Sequence, residues 1–368
     1  MRAVLALNAG SATLKFALYE AQGLALLARG LVDHWGSDAQ HFTVRDGAGA
    51  AVEDAAIPDA PDDRAASIEH LLAFVARTWP DAKIAAVGHR IVHGGERFTG
   101  PALVTAEVEA ALEGLCPLAP LHQPWGLTGL RLARAALPGV PQSASFDTAF
   151  HTTMPAAARR FALPRELEAR GVWRYGFHGL SYAYIAERLA WDHPELAEGR
   201  VVVAHLGSGA SLCAIRGGRS VETTMGFSTL DGLVMATRPG SLDAGVVLHL
   251  IQALGMSAEA VSDMLYHRSG LLGVSGLSGD MRVLLASDEA HAREAVELYV
   301  RRIVREVGAL TALLGGLDAL VFTGGVGENA AAIREAVTRW LGLPAEQALI
   351  IPTDEEQVIA REALEVAL

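Results

Sequence analysis

Residues 200–223 read RVVVAHLGSGASLCAIRGGRSVET. The apolar run from Val201 to Ala204 reads as a buried strand, and Ala210 to Ile215 as a second. Between them lies Gly207-Ser208-Gly209, and Gly217-Gly218 opens a further hairpin. The N-terminus has the same layout. In MRAVLALNAGSATLKFALYE, residues 1–20, an apolar strand stops at Asn8, turns through Ala9 to Ala12 and resumes as an alternating strand bearing Lys15. Aligning Gly10-Ser11 with Gly207-Ser208 superposes apolar strands on both sides of the turn. This predicts an internal duplication of two domains, each opening with a β-hairpin whose turn faces a common cleft. A tight turn has no packing need for Asn, Ser, Thr and Lys, so the polar residues around Asn8 must meet something polar.

Outward from these stretches the chain alternates strands and helices. HFTVRDGAG carries a hairpin signal at Asp46-Gly47. ASIEHLLAFVARTWP is an amphipathic helix, with Ile68, Leu71, Leu72 and Val75 at helical spacing and Pro80 ending it. IAAVGHRIVHGGERF is a strand entering a Gly-rich loop, and QSASFDTAFHTTMP places a strand before Asp147. Val296, Val300, Ile303, Val307, Leu310 and Leu314 form one stripe, so the longest helix is expected near 288–314. DALVFTGGVGENAAAIREAV reads as strand, Gly-Gly turn and helix. AGAAVEDAAIPDAPDD is expected to be a mobile surface loop. The expected division is an N-terminal domain of residues 1–148, joined by a last helix at 356–368 that ties the hinge, and a C-terminal domain of 149–355.

A chain of 368 residues is too long for one ordinary core. Its net charge of −12 argues against nucleic acid as the main partner, because phosphate binding needs a basic face. It leaves room for a small anion in a locally positive cleft. Cys116 and Cys213 are too few for a disulfide framework, which favours a reducing, cytoplasmic setting. No apolar run approaches the roughly 18 residues of a membrane helix. The short apolar stretch Ala3–Leu7, followed by Lys15, reads as a first strand rather than a signal peptide.

Three Gly-rich turns, Asn8–Ala12, His205–Gly209 and Gly324–Asn329, can leave backbone N–H groups aimed at one ligand. Each alone is an ordinary turn, and none fits the P-loop pattern. Placed on two repeated halves, they can cradle one polyphosphate. Arg90, Asp147 and Arg238 follow apolar strands or runs, Arg90 and Arg238 close to Gly or Pro, and LSGDMRVL pairs Asp280 with Arg282. Such charges serve either as structural ion pairs or as cleft residues. His89 and His93 have i, i+4 spacing, but on a strand and loop, so they do not make a metal pair. No finger-spaced cysteines and no H-E-x-x-H motif occur, which argues against zinc. His178, in RYGFHGLSY, precedes a helix expected to be capped by Ser181. It is either packed at a turn or functional.

Together, LNAGSATLKFALY, GHRIVHGGERF, LAPLHQP, FDTAFHTTMP, RYGFHGLSY, HLGSGASLCAIRGGRSVETTMGF, SGDMR, FTGGVGEN and PTDEEQVIARE resemble the acetate kinase family, in the family's order and across almost the whole chain. That family lies within the acetate and sugar kinase/Hsp70/actin superfamily. The resemblance implies an α/β chain of duplicated ribonuclease H-like βββαβαβα domains, the actin-like ATPase fold, with a nucleotide cleft between them and a homodimeric assembly. It implies reversible phosphoryl transfer from ATP to acetate, giving ADP and acetyl phosphate, with Mg²⁺ or Mn²⁺.

By match to the family motifs, Asn8 and Glu355 would place the metal, and Lys15 would meet ATP phosphate beside Ser11 and Thr13. Arg90 would hold the substrate carboxylate, with Val92, Leu121 and Phe177 around the acyl group. Asp147 would be the catalytic acidic residue, organising metal, water or an Arg; His178 and Arg238 would stabilise the transition state. His205, Leu206, Gly207, Ser208 and Gly209 would contact the phosphates. Asp280, Met281 and Arg282, with Gly325, Val326, Gly327, Glu328 and Asn329, would hold the adenosine end. A carboxylate acceptor is already ionised, so the problem is anion against anion, and Arg, His, Lys and a metal answer it.

The sequence departs from the family pattern at Ser208, where HLGNG has become HLGSG, and at Thr229, where a pocket-lining Pro is replaced. Pro239 and Ser241 flank Arg238, and LHQPWG brings Trp125 close to the substrate loop around His122. These changes leave acetate, propionate and butyrate open as acceptors, and ATP and pyrophosphate open as donors. A nucleotide-driven module without an acceptor, and a binding-only relative, are the readings from other classes.

Overall fold

Strand β1 (Arg2–Ala9) is buried from Ala3 to Asn8, which places it inside a sheet rather than at an edge. The computed structural model that shows this describes residues 1–57 and 63–367. It divides into two compact units, Met1–Ala149 with Asp354–Leu368, and Phe150–Thr353.

In the first unit β1 pairs antiparallel with β2 (Thr13–Glu20), so that Asn8 stands opposite Lys15. Beyond β2 follow β3 (Leu26–Asp33), β4 (His41–Asp46) and β5 (Ala51–Ala56), all antiparallel. On the other side β1 pairs parallel with β6 (Lys83–Ile91), which is followed by β8 (Gln142–Phe146) and the two-residue edge strand β7 (Ala102–Leu103). Helices α1 (Arg64–Thr78), α2 (Ala106–Glu113) and α3 (Gln123–Ala136) connect these strands. Residues alternate across a strand, so Leu5, Leu7, Leu14, Phe16 and Leu18 share one face and pack with Ile68, Leu71 and Phe74 of α1. The opposite face carries Asn8, Lys15, Gly88 and Arg90.

The second unit begins with the short helix α4 (Ala156–Arg159) and α5 (Gly179–Asp192). Its sheet has the order β11-β10-β9-β12-β13, built from β9 (Arg200–Leu206), β10 (Ala210–Arg216), β11 (Arg219–Thr223), β12 (Ala319–Thr323) and β13 (Ala348–Ile350). The central strand β9 is antiparallel to β10 and parallel to β12. That is the arrangement of β3-β2-β1-β6-β8, so the duplication expected from the two Gly-Ser turns is visible as repeated topology. Between β11 and β12 run α6 (Ala244–Gln252), α7 (Ala258–His267), α8 (Gly270–Ser275), α9 (Met281–Leu285) and the 25-residue α10 (Ala290–Leu314). The stripe on α10 is buried at Val300, Ile303, Val307, Leu310 and Leu314. After β12 come α11 (Gly324–Asn329) and α12 (Ala331–Leu341). The last helix, α13 (Glu355–Ala367), belongs to the first unit and packs on β1, β6 and β8. Gly88 is required there: a Cβ would stand 2.6 Å from Ile359 Cγ2 and 2.8 Å from its carbonyl oxygen.

Several local expectations need correction. Residues 51–56 of the supposed mobile loop form strand β5, paired antiparallel with β4 with one register shift between Val44 and Arg45; residues 58–62 lie outside those described. Gly324-Gly325 is the first turn of a helix rather than a turn before one, and Gly324 takes φ +77°, which a side chain would disfavour. Ser181 does not cap α5. The N-cap is His178, itself left-handed at φ 59°, ψ 24°, and the Ser181 hydroxyl is engaged with His205 instead.

Candidate functional site

In the first unit the strand ends gather a polar cluster around Arg90. Its Nε donates to Asp147 Oδ1 at 2.9 Å and its Nη2 to Asp147 Oδ2 at 2.6 Å. Its Nη1 donates to Asn8 Oδ1 at 3.3 Å and stands 3.9 Å from Glu355 Oε2. Burial works against the Arg90 charge, but Asp147 and Glu355 outweigh it and hold the guanidinium above its ordinary pKa. The Glu356 carboxyl is pushed up by burial and by Glu355, against the pull of Lys15.

Lys15 itself is exposed. It lines a cavity of about 450 Å³ with Arg29, Arg45 and Glu356 on the β2–β5 sheet. Val92 is half-buried and Leu121 is 37% exposed. The oxygen donors of Asn8, Asp147 and Glu355 are hard ligands of the type that suits Mg²⁺, which ordinarily takes one or two carboxylates plus waters and substrate phosphates. Among the described residues no cluster of three His, Cys, Asp or Glu forms a ready-made metal cage. The set therefore fits a metal held partly by substrate and not one held by protein alone.

The turn after β1 is fixed from outside. Arg64, at the start of α1, donates from Nη2 to the Ser11 carbonyl at 3.2 Å. Its guanidinium lies 5.2 Å from the Trp35 ring centre and 4.7 Å from that of Trp125. Trp125, noted above only as a departure near the substrate loop, is thus one plate of a clamp on the Asn8–Ala12 turn.

In the second unit His178 and Arg238 meet at one glycine. A Cβ on Gly209 would stand 3.3 Å from His178 Nε2 and 2.8 Å from Arg238 Nη2, so only glycine leaves them this close to the turn. Arg238 Nη1 donates to the Thr229 carbonyl at 2.9 Å. Burial pushes its pKa down and Tyr266 opposes the shift, which describes a half-buried cation with no ion-pair carboxylate among the described residues.

The His178 Nδ1 is 2.8 Å from Ser211 Oγ, and the ring stacks on His205 with centres 4.4 Å apart. His205 Nδ1 lies 2.8 Å from Ser181 Oγ. The segment before His178 is anchored by buried His151. Its Nε2 donates to the Phe177 carbonyl at 2.9 Å, so its Nδ1 accepts from Ser220 Oγ at 2.9 Å. Burial holds the His151 pKa at about 4, and the ring is neutral. Phe177 is 1% exposed.

Beside this turn a groove of about 780 Å³ opens within the second unit. Three predicted segments line it: Gly207 and Ser208; Asp280, Met281 and Arg282; and Gly325, Val326 and Asn329. Leu271, Leu285 and Ala330 add apolar wall. His205, Leu206, Gly209, Gly327 and Glu328 do not line it. Leu206 is buried in β9, and Glu328 Oε1 accepts from the N–H groups of Gly324 at 2.9 Å and Thr353 at 3.3 Å. The three turns are also less open than their glycines suggest. The N–H groups of Gly10, Gly207 and Gly324 are spent on Thr13 O, Gly209 O and Glu328 Oε1.

Sequence reasoning missed Tyr182, Ser211, Arg64 and the carbonyl of Thr229. The first two lie inside quoted motifs but read as helix and strand filling. Only the distance between Tyr182 and Ser211 across the fold reveals them as a pair.

Comparison with known proteins is consistent over the whole chain. The model of the Acetokinase family matches residues 3–345. An acetate kinase of Rhodopseudomonas palustris is 48% identical over 99% of this chain and 98% of its own length. One of Streptomyces griseus is 42% identical over 98% of this chain and 95% of its own. Among solved structures, a propionate kinase of Francisella tularensis superposes with a TM-score of 0.92 at 33% identity, covering 100% of both chains. The acetate kinase of Porphyromonas gingivalis gives 0.87 at 35% identity, again over 100% of both.

Proposed function

Because the chain belongs to the acetokinase family, it is a phosphotransferase with a carboxyl group as acceptor and ATP as co-substrate, and we propose that it transfers the γ-phosphoryl group of ATP reversibly to acetate, giving acetyl phosphate and ADP. One observation carries this reading. The Gly207–Gly209 turn serves two purposes: Gly207 and Ser208 line the groove, while Gly209 is flanked by His178 and Arg238. A phosphate chain laid on that turn would have its base in the groove and its terminal phosphoryl beside the two donors. A groove of about 780 Å³ with Met281, Leu271 and Leu285 in its walls suits a purine and supports ATP rather than pyrophosphate as donor, despite Ser208.

Acetate is ionised at neutral pH and needs no general base. The task is to position it and to neutralise charge on the transferring group. We assign Arg90 to the acetate carboxylate through its Nη1 side, since Asp147 occupies the Nε–Nη2 edge; the long 3.3 Å bond from Nη1 to Asn8 Oδ1 would give way as Asn8 turns to the metal. Asp147 then acts by holding Arg90 rather than by taking a proton. Arg238, half-buried and aimed by the Thr229 carbonyl, and His178 stabilise the equatorial oxygens. Asn8, Asp147 and Glu355 would hold Mg²⁺ together with the phosphates, and the metal would offset their charge. Val92, Leu121 and Phe177 are assigned to the methyl group, and Lys15 to the phosphates.

We take the two units as the two actin-like domains, and the protein as a cytoplasmic homodimer. No helix among the described residues is long and apolar enough to cross a membrane. Helix α6 has no buried residue, and Val246, Leu248 and Ile251 on it, with Leu254 beyond, are exposed. A second copy of the chain would cover that apolar face.

The test is acyl phosphate formation, trapped as hydroxamate, with ATP and Mg²⁺ against acetate, propionate and butyrate, and with pyrophosphate as control donor. The highest kcat/KM is expected for acetate with ATP. A methylene in an apolar pocket is worth about 1–3 kcal/mol, so a preference for propionate would relocate the specificity to Thr229, in line with the likeness to a propionate kinase. No acyl phosphate from any pair, in folded protein, would overturn the reading.

A further inference from the structure

Behind His178 stands a buried chain of two hydroxyls. His178 Nδ1 is 2.8 Å from Ser211 Oγ, and Ser211 Oγ is 2.5 Å from the Tyr182 hydroxyl. Ser211 and Tyr182 are both 0% exposed, so water does not complete their bonding. Among the described residues, the Tyr182 hydroxyl bonds only Ser211, and the Ser211 hydroxyl bonds only Tyr182 and His178.

The protons on this chain can be placed by counting. A hydroxyl has one proton to give, and a neutral imidazole has one N–H and one bare nitrogen. If His178 carried its proton on Nδ1 and gave it to Ser211, the serine would have to turn its own proton to Tyr182. The buried phenol proton would then have no acceptor. If the tyrosine and the histidine both donated to Ser211, the serine proton would be stranded in the same way. A buried donor left unmade is the costly case. One order leaves nothing stranded: Tyr182 O–H donates to Ser211 Oγ, Ser211 O–H donates to His178 Nδ1, and the ring proton sits on Nε2. Burial raises the Tyr182 pKa well above its usual value, so the phenol keeps the proton this order requires.

We propose that Ser211 and Tyr182 are positioning residues that fix His178 as the Nε2–H tautomer, so that it presents a proton donor at the Gly209 turn beside Arg238. The assignment rests on the functional reading above for its use in phosphoryl transfer. The tautomer itself rests only on the buried hydroxyls. The backbone and the stack set the ring's orientation: His178 is held left-handed at the head of α5 at φ 59°, its ring lies on His205, and Nε2 faces the Gly209 turn. The relay then fixes which nitrogen carries the proton.

The experiment is long-range ¹H–¹⁵N correlation on protein labelled in its histidine rings, with His178→Gln to identify the signal. It is run on the wild type, Ser211→Ala, Ser211→Thr and Tyr182→Phe, with acyl phosphate kinetics on the same samples. In the wild type, Nδ1 of His178 should appear as the unprotonated nitrogen. Ser211→Ala should mix the tautomers and lower kcat about tenfold with KM for both substrates within about twofold, because a donor used only in the transition state is lost. Tyr182→Phe should do the same more weakly, and Ser211→Thr, which keeps the hydroxyl, should restore both the spectrum and kcat. A wild-type ring protonated on Nδ1 overturns the proposal without any variant having to fold. So does a spectrum that Ser211→Ala leaves unchanged, or an altered spectrum with unaltered kcat. Should no carboxylate be phosphorylated, the functional reading fails, and the wild-type spectrum still decides the tautomer.

Discussion

Asp147 grips Arg90 through both carboxylate oxygens, at 2.9 Å to Nε and 2.6 Å to Nη2, while its own backbone N–H donates to the Ile91 carbonyl at 3.2 Å. The two residues sit on and just beyond neighbouring parallel strands, so the sheet itself sets the spacing of the pair. The Asp147 side chain is 2% exposed, and a two-bond fork there orients Arg90 as well as neutralising it. Asp147→Asn removes the charge but not the shape, and leaves Arg90 short of a partner. The expected result is a fall in kcat of about a hundredfold or more, with about 3 kcal/mol lost from the stability measured by denaturant unfolding. Near-normal turnover at ordinary Mg²⁺ would remove Asp147 from the mechanism. Arg90→Lys is expected to lower both quantities as well, since an ammonium cannot fill the fork.

Arg238 answers to a different measurement. It is half-buried and aimed by a carbonyl, which suits a group whose reward comes only when charge develops on the phosphoryl. Arg238→Ala should cut kcat by about 10²–10³ while KM for acetate and ATP moves little. The reverse pattern, a large KM with kcat kept, would make Arg238 a ground-state binder.

Three buried histidines set an acid limit on stability. Burial is the first cause in each case, and it lowers His89, His93 and His151 from the ordinary 6.5 to about 4. Each therefore stays neutral in the folded chain while its unfolded counterpart takes a proton below pH 6.5. The unfolded state then binds more protons, so stability falls as pH drops from about 6.5 towards 4 and is complete above that window. Each can remove at most about 3 kcal/mol. Unfolding free energy measured between pH 4 and 7 should show the slope, and His151→Gln should flatten it. A flat wild-type profile would mean these rings are charged in the fold.

The clamp on the first turn is open to direct test. Trp125→Ala removes one aromatic plate from Arg64 and frees the hold on the Ser11 carbonyl. A cation between desolvated rings is worth up to about 2 kcal/mol, so that loss is expected in denaturant unfolding, with Trp125→Phe recovering about half. KM for ATP should rise in step if the Asn8–Ala12 turn meets phosphate. Unchanged stability would show that Trp35 alone suffices.

The repeated fold was legible because it was written in local signals. Alternating apolar strands flank Gly10 and Gly207, and the α10 stripe keeps its spacing over about five turns of helix. What could not be read depends on partners distant in sequence. Residues 51–56 are rich in Ala, Glu and Asp, poor strand formers, and they are a strand because β4 supplies a ladder. Ser181 has the residue type of an N-cap, but its hydroxyl is claimed by His205, 24 residues on. Glu328 and Leu206 sit in the right motifs for a ligand groove, yet one spends its carboxylate tying down its own helix start and the other faces the core. Motif membership grouped these residues; the hydrogen bonds show which side chains within the groups are already engaged inside the fold.

The docking of α13 onto β1, β6 and β8, with Ile359 seated against Gly88, has a bearing on how the protein is made. The second unit is one continuous stretch of chain and has all its residues once Thr353 is translated. The first unit begins with residue 1 yet lacks the helix that covers Asn8's side of its sheet until residues 355–367 leave the ribosome. The part synthesised first is therefore finished last. A nascent chain halted short of the last helix should hold its later half folded while its earlier half still exposes an uncovered sheet face, which marks that interval as the one in which the polypeptide most needs a chaperone.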